Sequence, residues 1–127
     1  MKIIGIHHLK LTVTNLEISK AFYAKLPGFE IVADHPGFVM FFVGKKFYLG
    51  LTDHDQKLTS ERFSEFNVGM DHVAFELGAL ADFQEAVIFL EQEKIPHGEI
   101  EQLSNGSYIL AFRDPDNIQL EFCYKSS

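Results

Sequence analysis

The sequence contains one structural pattern twice, and this internal repeat limits the folds that the chain can adopt. Each copy reads as a strand, a helix and three further strands, with copies at residues 1–52 and 68–127 and a polar linker at 53–67. A four-stranded sheet with one helix covers only one of its faces, so two copies must share a core or a cavity. We therefore predict an α+β fold, a single domain over residues 1–127. Its two paired βαβββ modules form a cupped, mostly antiparallel sheet with one main helix per module.

Local signals define the elements of both copies. Side chains alternate between apolar and polar in the first strand of each copy, and Asn15 provides an N-cap before the first helix. The predicted helices run from Leu16 to Leu26 and from Leu80 to Lys94. The predicted strands are Ile3–Val13, Phe29–Ala33, Phe38–Val43, Phe47–Leu51, Val68–Leu77, His97–Leu103, Ser107–Phe112 and Asn117–Tyr124. The linker has no sustained periodicity beyond one possible helical turn.

Composition and charge exclude several classes of partner. The chain has 18 acidic and 11 basic residues, a net charge of −7, which argues against binding nucleic acid or an anionic membrane. No apolar run reaches the roughly 18 residues of a membrane span. The single cysteine, Cys123, and a first segment unlike a signal peptide favour a cytoplasmic protein. A small-molecule substrate is the expected partner.

Strand parity brings three candidate metal ligands to one surface. If Leu9, Leu11 and Val13 pack on the first helix, then His8 points to the opposite, concave side. The same rule places His72 and Glu121 on the concave side of the second module. Two imidazoles and one carboxylate form the ligand set that suits one divalent ion of Fe, Mn, Ni, Co or Zn.

Each of these residues also has an ordinary structural explanation. A single histidine in a strand is usually a surface residue or a hydrogen-bonded core residue, and Glu121 fits a solvated face of an edge strand. Against this, a carboxylate within the apolar run IQLEF is costly to bury unless it is paired or bound to a metal. His7 has the opposite parity to His8, which favours a structural role.

Three stretches of sequence resemble the vicinal oxygen chelate superfamily over nearly the whole chain. They are IHHLKLTVTNLEISKAFYAKLPGFEIV, MDHVAFEL and FRDPDNIQLEF. The resemblance implies paired βαβββ modules and metal ligands at His8, His72 and Glu121. It also implies a homodimer, because members of this superfamily pair sheets between chains.

The sequence departs from particular members of that superfamily. Glyoxalase I and methylmalonyl-CoA epimerase carry a fourth ligand or catalytic side chain where this chain has Gly50, so these activities lose support. Fosfomycin-resistance thiol transferases tend to have a threonine where this chain has Lys10, and extradiol dioxygenases commonly have a tyrosine where it has Ala111. Gly50 is expected to leave room for substrate or water beside the metal. If a proton must be moved, the candidate groups are Glu76, Tyr108 and a water held by Gln119.

Two functions from different classes remain open at this point. The first is a metal-dependent enzyme, a lyase, dioxygenase or thiol transferase, acting on a small oxygen-bearing substrate chelated to the ion. The second is a metal-free small-molecule binding protein similar to bleomycin-resistance proteins. The intact set of three candidate ligands favours the enzyme, since a sequestering protein has no need of converging ligands.

Overall fold

Each half of the chain folds into a four-stranded sheet with one helix against it. The computed structural model describes residues 1–125. The elements of the first half are β1 (His8–Thr12), α1 (Leu16–Lys25), β2 (Phe29–His35), β3 (Phe38–Val43) and β4 (Phe47–Thr52). Those of the second half are β5 (Val73–Glu76), α2 (Asp82–Gln92), β6 (Glu101–Gln102), β7 (Tyr108–Arg113) and β8 (Gln119–Tyr124). Both βαβββ modules predicted from the sequence are therefore confirmed.

The two sheets have the same topology. Their strand orders are β1-β4-β3-β2 and β5-β8-β7-β6, so the last strand of each copy lies beside its first. The pairs β1–β4 and β5–β8 are parallel, and the other pairs are antiparallel. The sheets are mostly antiparallel, as predicted, with one parallel pair in each.

The chain divides into two compact units, Met1–Glu61 and Arg62–Ser127. The boundary falls inside the predicted linker, whose last residues fold with the second unit. The amide of Phe63 donates to the carbonyl of Asp116 over 2.9 Å, and the side-chain amide of Asn117 donates to the carbonyl of Phe63 over 3.1 Å. These bonds attach the segment before β5 to the turn between β7 and β8.

In the first unit, α1 packs on one face of its sheet. Asn15 caps the helix as predicted, because its side-chain oxygen accepts from the amide of Ile18 over 3.0 Å. Tyr23 of α1 is fully buried, with its ring centroid 6.0 Å from that of Phe29 and 6.3 Å from that of Phe41. The opposite face of each sheet, which the helix of that unit does not cover, is called its open face below.

The second unit buries the corresponding side chains around α2. Phe83 and Leu90 of the helix are buried, as are alternate residues of the two central strands: Leu110, Phe112, Leu120 and Phe122. Within residues 1–125, neither helix is long and apolar enough to cross a membrane.

Several strands are shorter than the sequence pattern predicts. β1 begins at His8 rather than Ile3, and Ile3, Ile4 and Ile6 are exposed. The reason is pairing: His8 lies opposite Tyr48, and β4 begins only one residue earlier. An apolar run without a neighbouring strand of its own unit has no partner for its backbone hydrogen bonds. The same limit applies to residues 68–72, since Val73 already lies opposite Leu120 near the start of β8.

The first half of the linker forms a short 3₁₀ turn, His54–Gln56, with unusual backbone angles. The φ values of its three residues are 49°, 52° and 66°, in the left-handed region that non-glycine residues seldom adopt. Local bonds stabilise this turn, since Asp53 accepts from the amide of Asp55 over 3.1 Å and Gln56 donates to the carbonyl of Thr14 over 3.0 Å. The predicted helical turn is present, but its hand is the opposite of an ordinary helix.

Candidate metal centre

β8 places the candidate carboxylate on the open face of the second sheet. Its residues Leu120 and Phe122 are buried, while Glu121 lies on the other side, opposite Ala74 of β5 and Ala111 of β7. Both neighbours of Glu121 are alanines, which have short side chains. The carboxylate is therefore flanked on both neighbouring strands by small side chains.

His72, immediately before β5, brings its imidazole to this carboxylate. The Nε2 atom of His72 lies 3.4 Å from Oε1 of Glu121, and the two side chains are 39% and 15% exposed. Two donor atoms that each lie about 2.1 Å from one metal ion are about 3.0 to 3.4 Å apart for angles between 90° and 109°. The spacing and the chemistry of this pair fit two cis ligands of one divalent ion, so the residues present suit the metal that the sequence implies.

A series of polar contacts extends from the other side of His72. Its Nδ1 lies 2.7 Å from Oδ1 of Asp71, and the same oxygen accepts from Nε2 of Gln119 over 2.9 Å. The Gln119 amide nitrogen also donates to the backbone carbonyl of Asp71 over 3.1 Å, and its oxygen accepts from Nη2 of Arg113 over 3.3 Å. Both ends of the Gln119 side chain are occupied, which disfavours the expected role of holding a water for proton transfer.

The series ends in a bidentate ion pair between Arg113 and Glu65. Nη1 and Nη2 of Arg113 donate to the two carboxylate oxygens of Glu65 over 3.1 and 2.9 Å. Hydrogen bonds from the guanidinium lower the pKa of Glu65 to about 2 and raise the pKa of Arg113. This pair connects Glu65, in the segment predicted as a linker, to the end of β7.

His8 lies in the first unit, on the open face of its sheet, opposite Tyr48. Its Nδ1 is 2.9 Å from Nδ1 of His7, and the ring of His7 stacks on that of Tyr48 at 5.9 Å. The prediction that His7 points to the opposite side was wrong, because residue 7 precedes β1 and strand parity does not apply to it. In both units, the residue before the repeated histidine therefore contacts its Nδ1 atom.

The space beside Gly50 is filled rather than open. Gly50 lies between Lys10 of β1 and Met40 of β3, and a Cβ atom at position 50 would be 3.3 Å from Cγ of Lys10 and 3.4 Å from Cε of Met40. As the sequence shows, position 50 has no side chain to act as a fourth ligand. The expectation that this leaves room for substrate is wrong at this point, because the Lys10 and Met40 side chains fill the space. The Lys10 ammonium extends over the ring of Phe38, 4.7 Å from its centroid.

The other two candidates for proton transfer, Tyr108 and Glu76, lie on different faces of the second sheet. Tyr108 shares the helix-covered face with Leu110 and lies 6.3 Å, ring to ring, from Phe83 of α2. It is a packing residue rather than part of the open face.

Glu76 lies on the open face, in register with Cys123 of β8. Burial, and then the charges of Glu76 and Glu121, raise the pKa of the Cys123 thiol, which keeps it protonated near neutral pH.

The structure thus brings two of the three predicted ligands, His72 and Glu121, together in one unit, while His8 lies in the other. Within either unit by itself, residues 1–125 contain no group of three or more His, Cys, Asp and Glu side chains arranged to hold one ion. The sequence did not reveal that Asp71, Arg113 and Glu65 support His72, and it suggested a different role for Gln119, that of holding a water. The Asp-His dipeptide and the charged turn before β8 were the available signals for them.

The chain belongs to the glyoxalase/bleomycin resistance protein/dioxygenase superfamily. The model of this family matches residues 5–122, which include most of both modules and all three candidate ligands. No curated protein matches the chain in sequence. The family contains several activities, so membership establishes the class of protein and leaves the reaction open.

Solved structures agree with this assignment. A glyoxylase/bleomycin resistance protein/dioxygenase domain from Frankia sp. EAN1pec is 26% identical, with a TM-score of 0.87 over 99% of this chain and 95% of that one. A lactoylglutathione lyase from Agrobacterium tumefaciens is also 26% identical, with a TM-score of 0.77 over 98% and 96% of the two chains. The fosfomycin resistance protein FosX from Listeria monocytogenes shares the fold at 18% identity, with a TM-score of 0.77 over 98% and 96%.

The Glu65–Arg113 pair predicts a pH dependence of stability. Because the pKa of Glu65 is lowered to about 2 in the folded chain, its ionised form stabilises the fold above the unfolded value of about 4.3. That contribution is lost as the pH falls from about 5 towards 2. We expect the urea midpoint of the native protein to fall more steeply over this range than that of Glu65→Gln. Parallel pH profiles of the two proteins would contradict the ion pair.

Proposed function

We propose that the protein is a metal-dependent enzyme in which His8, His72 and Glu121 hold one divalent ion that chelates a small oxygen-bearing substrate. The observation that carries the proposal is the approach of His72 Nε2 to Glu121 Oε1, at 3.4 Å on the open face of the second sheet. His8 is proposed as the third ligand because it occupies the corresponding position of the repeat and lies on the open face of its own sheet.

The types of ligand define the ions that such a site accepts. Two imidazoles and a carboxylate suit Fe(II), Mn(II), Ni(II), Co(II) or Zn(II), and three protein ligands leave coordination positions for substrate. When bound, the ion supplies Lewis-acid polarisation of a substrate oxygen or, in the case of iron, redox chemistry.

The residues around the pair have separate roles in this proposal. Glu121 supplies the negative charge that offsets the ion, and its neighbours on the adjacent strands, Ala74 and Ala111, carry no side-chain groups that compete for it. Glu76 is the proposed proton acceptor, since it lies on the same face and keeps an unburied carboxylate. Tyr108 is given no part in the proposed chemistry, because its ring packs beside Phe83 of α2.

Metal binding is the first test. The protein purified without an affinity tag is expected to contain close to one divalent ion per chain, measured by elemental analysis and by calorimetric titration of the metal-free protein. Glu121→Gln should weaken binding strongly, because the amide keeps the size of the side chain and loses the charge that balances the ion. Glu101→Gln, which removes a charge from exposed strand β6, is the matched control.

Equal affinities of the Glu121→Gln and Glu101→Gln variants would remove Glu121 from the site. A native protein that binds none of the five ions, yet binds small apolar molecules, would instead identify a metal-free binding protein.

A homodimer is the proposed assembly. Its support is the set of exposed apolar side chains before the first strand of each unit, which includes Ile3, Ile4 and Ile6 in the first and Phe66 and Val68 in the second. Sedimentation should show a dimer at micromolar concentration. Only monomer under these conditions would count against it.

Mixing two inactive variants shows whether each proposed centre draws its ligands from one chain or two. His8→Ala and His72→Ala should each lose metal binding. If His8 comes from the partner, unfolding and refolding them together produces heterodimers with one intact set of ligands, and part of the binding returns. If all ligands come from one chain, no mixture recovers it.

The proposed reaction is one that needs no fourth protein ligand. Because position 50 carries no side chain and the Lys10 and Met40 side chains lie against it, we expect poor isomerisation of the glutathione–methylglyoxal hemithioacetal. That adduct should be tested with Ni, Zn, Mn, Co and Fe(II) in turn. Robust turnover with any of them would contradict this expectation and favour a lyase.

The same metal-loaded samples discriminate between the other two activities. Consumption of oxygen with a catechol, confined to Fe(II), would identify a dioxygenase. Addition of a thiol to an epoxide, with Mn(II) or another redox-inert ion, would identify a thiol transferase. In either reaction Glu76→Gln should lower kcat by about 100-fold or more if Glu76 moves the proton, while Glu101→Gln should leave it unchanged.

A further inference from the structure

We propose that Asp71 is a positioning residue that holds His72 as the Nδ1–H tautomer, and that Gln119 and Arg113 hold Asp71 in place for this purpose. The inference deepens the proposed function, since it rests on His72 presenting Nε2 to a metal. Its structural content can nevertheless be tested on the metal-free protein.

The Arg113 guanidinium sets the orientation of the Gln119 amide. Arginine has only N–H donors, so the Gln119 atom that lies 3.3 Å from Nη2 must be the acceptor, Oε1. The amide nitrogen of Gln119 therefore faces Asp71, whose carboxylate and carbonyl oxygens are both acceptors. Reversing the amide would place a donor against a donor at one end and an acceptor against an acceptor at the other.

The oriented amide then determines the role of Asp71. Oδ1 of Asp71 receives the Gln119 N–H over 2.9 Å and lies 2.7 Å from Nδ1 of His72. An ionised carboxylate accepts hydrogen bonds and has none to donate. Nδ1 of His72 must therefore carry a hydrogen, and in the neutral ring the lone pair is on Nε2, the atom directed at Glu121.

Asp71 depends on these bonds for its position because burial does not restrain it. Its side chain is 67% exposed, so a free carboxylate at this position would sample several rotamers. Two bonds from Gln119 restrict it, and Gln119 is in turn fixed by Arg113. Arg113 is anchored by Glu65 and by its bond to the carbonyl of Asn117, 3.1 Å away. Through Glu65, the segment predicted as a linker thus contributes to the orientation of His72.

This arrangement leaves two acceptors facing each other. With the hydrogen on Nδ1, the Nε2 lone pair and the Glu121 carboxylate oxygen are 3.4 Å apart with no hydrogen between them. A cation bound by both atoms removes the repulsion, so the tautomer prepares the pair for a metal. Carboxylate–histidine pairs of this type orient metal ligands and make them stronger donors.

The test measures the ring nitrogens of His72 by ¹⁵N NMR in the metal-free protein, well above the pH range in which histidine ordinarily titrates. The native protein should show hydrogen on Nδ1 and none on Nε2. Gln119→Glu keeps the shape of the side chain but places an acceptor against Asp71, and should shift His72 towards the Nε2–H form. Gln102→Glu, which adds the same charge in exposed strand β6, should leave it unchanged.

Two substitutions of Asp71 provide a second measurement if Gln119→Glu fails to fold. Asp71→Ala removes the acceptor from an exposed site and should reduce the Nδ1–H population. Asp71→Asn retains an oxygen that can accept both hydrogen bonds, and should preserve the tautomer. An Nε2–H ring in the native protein, or the same ring nitrogen signals in Asp71→Ala as in the native protein, would overturn the inference.

Metal affinity separates this inference from the proposed function. If both are correct, Asp71→Ala and Gln119→Glu should weaken binding by about 10- to 100-fold, with Asp71→Asn much closer to the native protein. A native protein that binds no metal but shows the expected tautomer changes would refute the proposed function and support the hydrogen-bond series. Full metal binding by Asp71→Ala, with an altered tautomer, would show that the series does not serve the ion and overturn the inference.

Discussion

The alternation of side chains along β8 is the constraint on which the candidate centre depends. β8 is hydrogen-bonded on both sides, to β5 and to β7, so it cannot shift its register without disrupting two ladders. Burial of Leu120 and Phe122 on the helix side therefore forces Gln119, Glu121 and Cys123 onto the open face. A shift of β8 by one residue would bury the carboxylate and expose two large apolar side chains. The hydrophobic core and the position of the ligand are thus set by the same pairing.

The parts of the structure that follow from strand periodicity could be predicted from the sequence. The order of elements and the open-face position of Glu121 rest on patterns with a period of two or 3.6 residues, and the Asn15 cap rests on residue type. His72 meets Glu121 as predicted, although it lies one residue before β5. The segments before β1 and β5 were predicted as strands but are not, because no strand of their own unit pairs with them. Periodicity describes which side a residue faces and does not reveal whether a neighbouring strand reaches it.

The support of His72 could not be predicted for a different reason. Asp71 and Glu65 lie in irregular segments, where no period relates position to direction, and Arg113 and Gln119 meet them only after the chain has turned. Gly50 shows a related limit. The sequence reveals that position 50 has no side chain, whereas only the structure shows that the side chains of Lys10 and Met40 lie against it. An absent side chain creates a cavity only if its neighbours cannot fill it.

The two copies of the repeat differ in the group that holds the histidine, and this difference has chemical consequences. His72 has a carboxylate at Nδ1, whereas His8 has the imidazole of His7 there. A carboxylate draws the Nδ1 hydrogen and increases the electron density at Nε2, while a neutral imidazole does so much less. The His7 ring can act as donor or acceptor, so it selects no single tautomer of His8. In a centre built from both histidines, His72 would be the stronger and better-oriented ligand, already paired with Glu121. His8 would be the ligand whose tautomer is selected only by the ion.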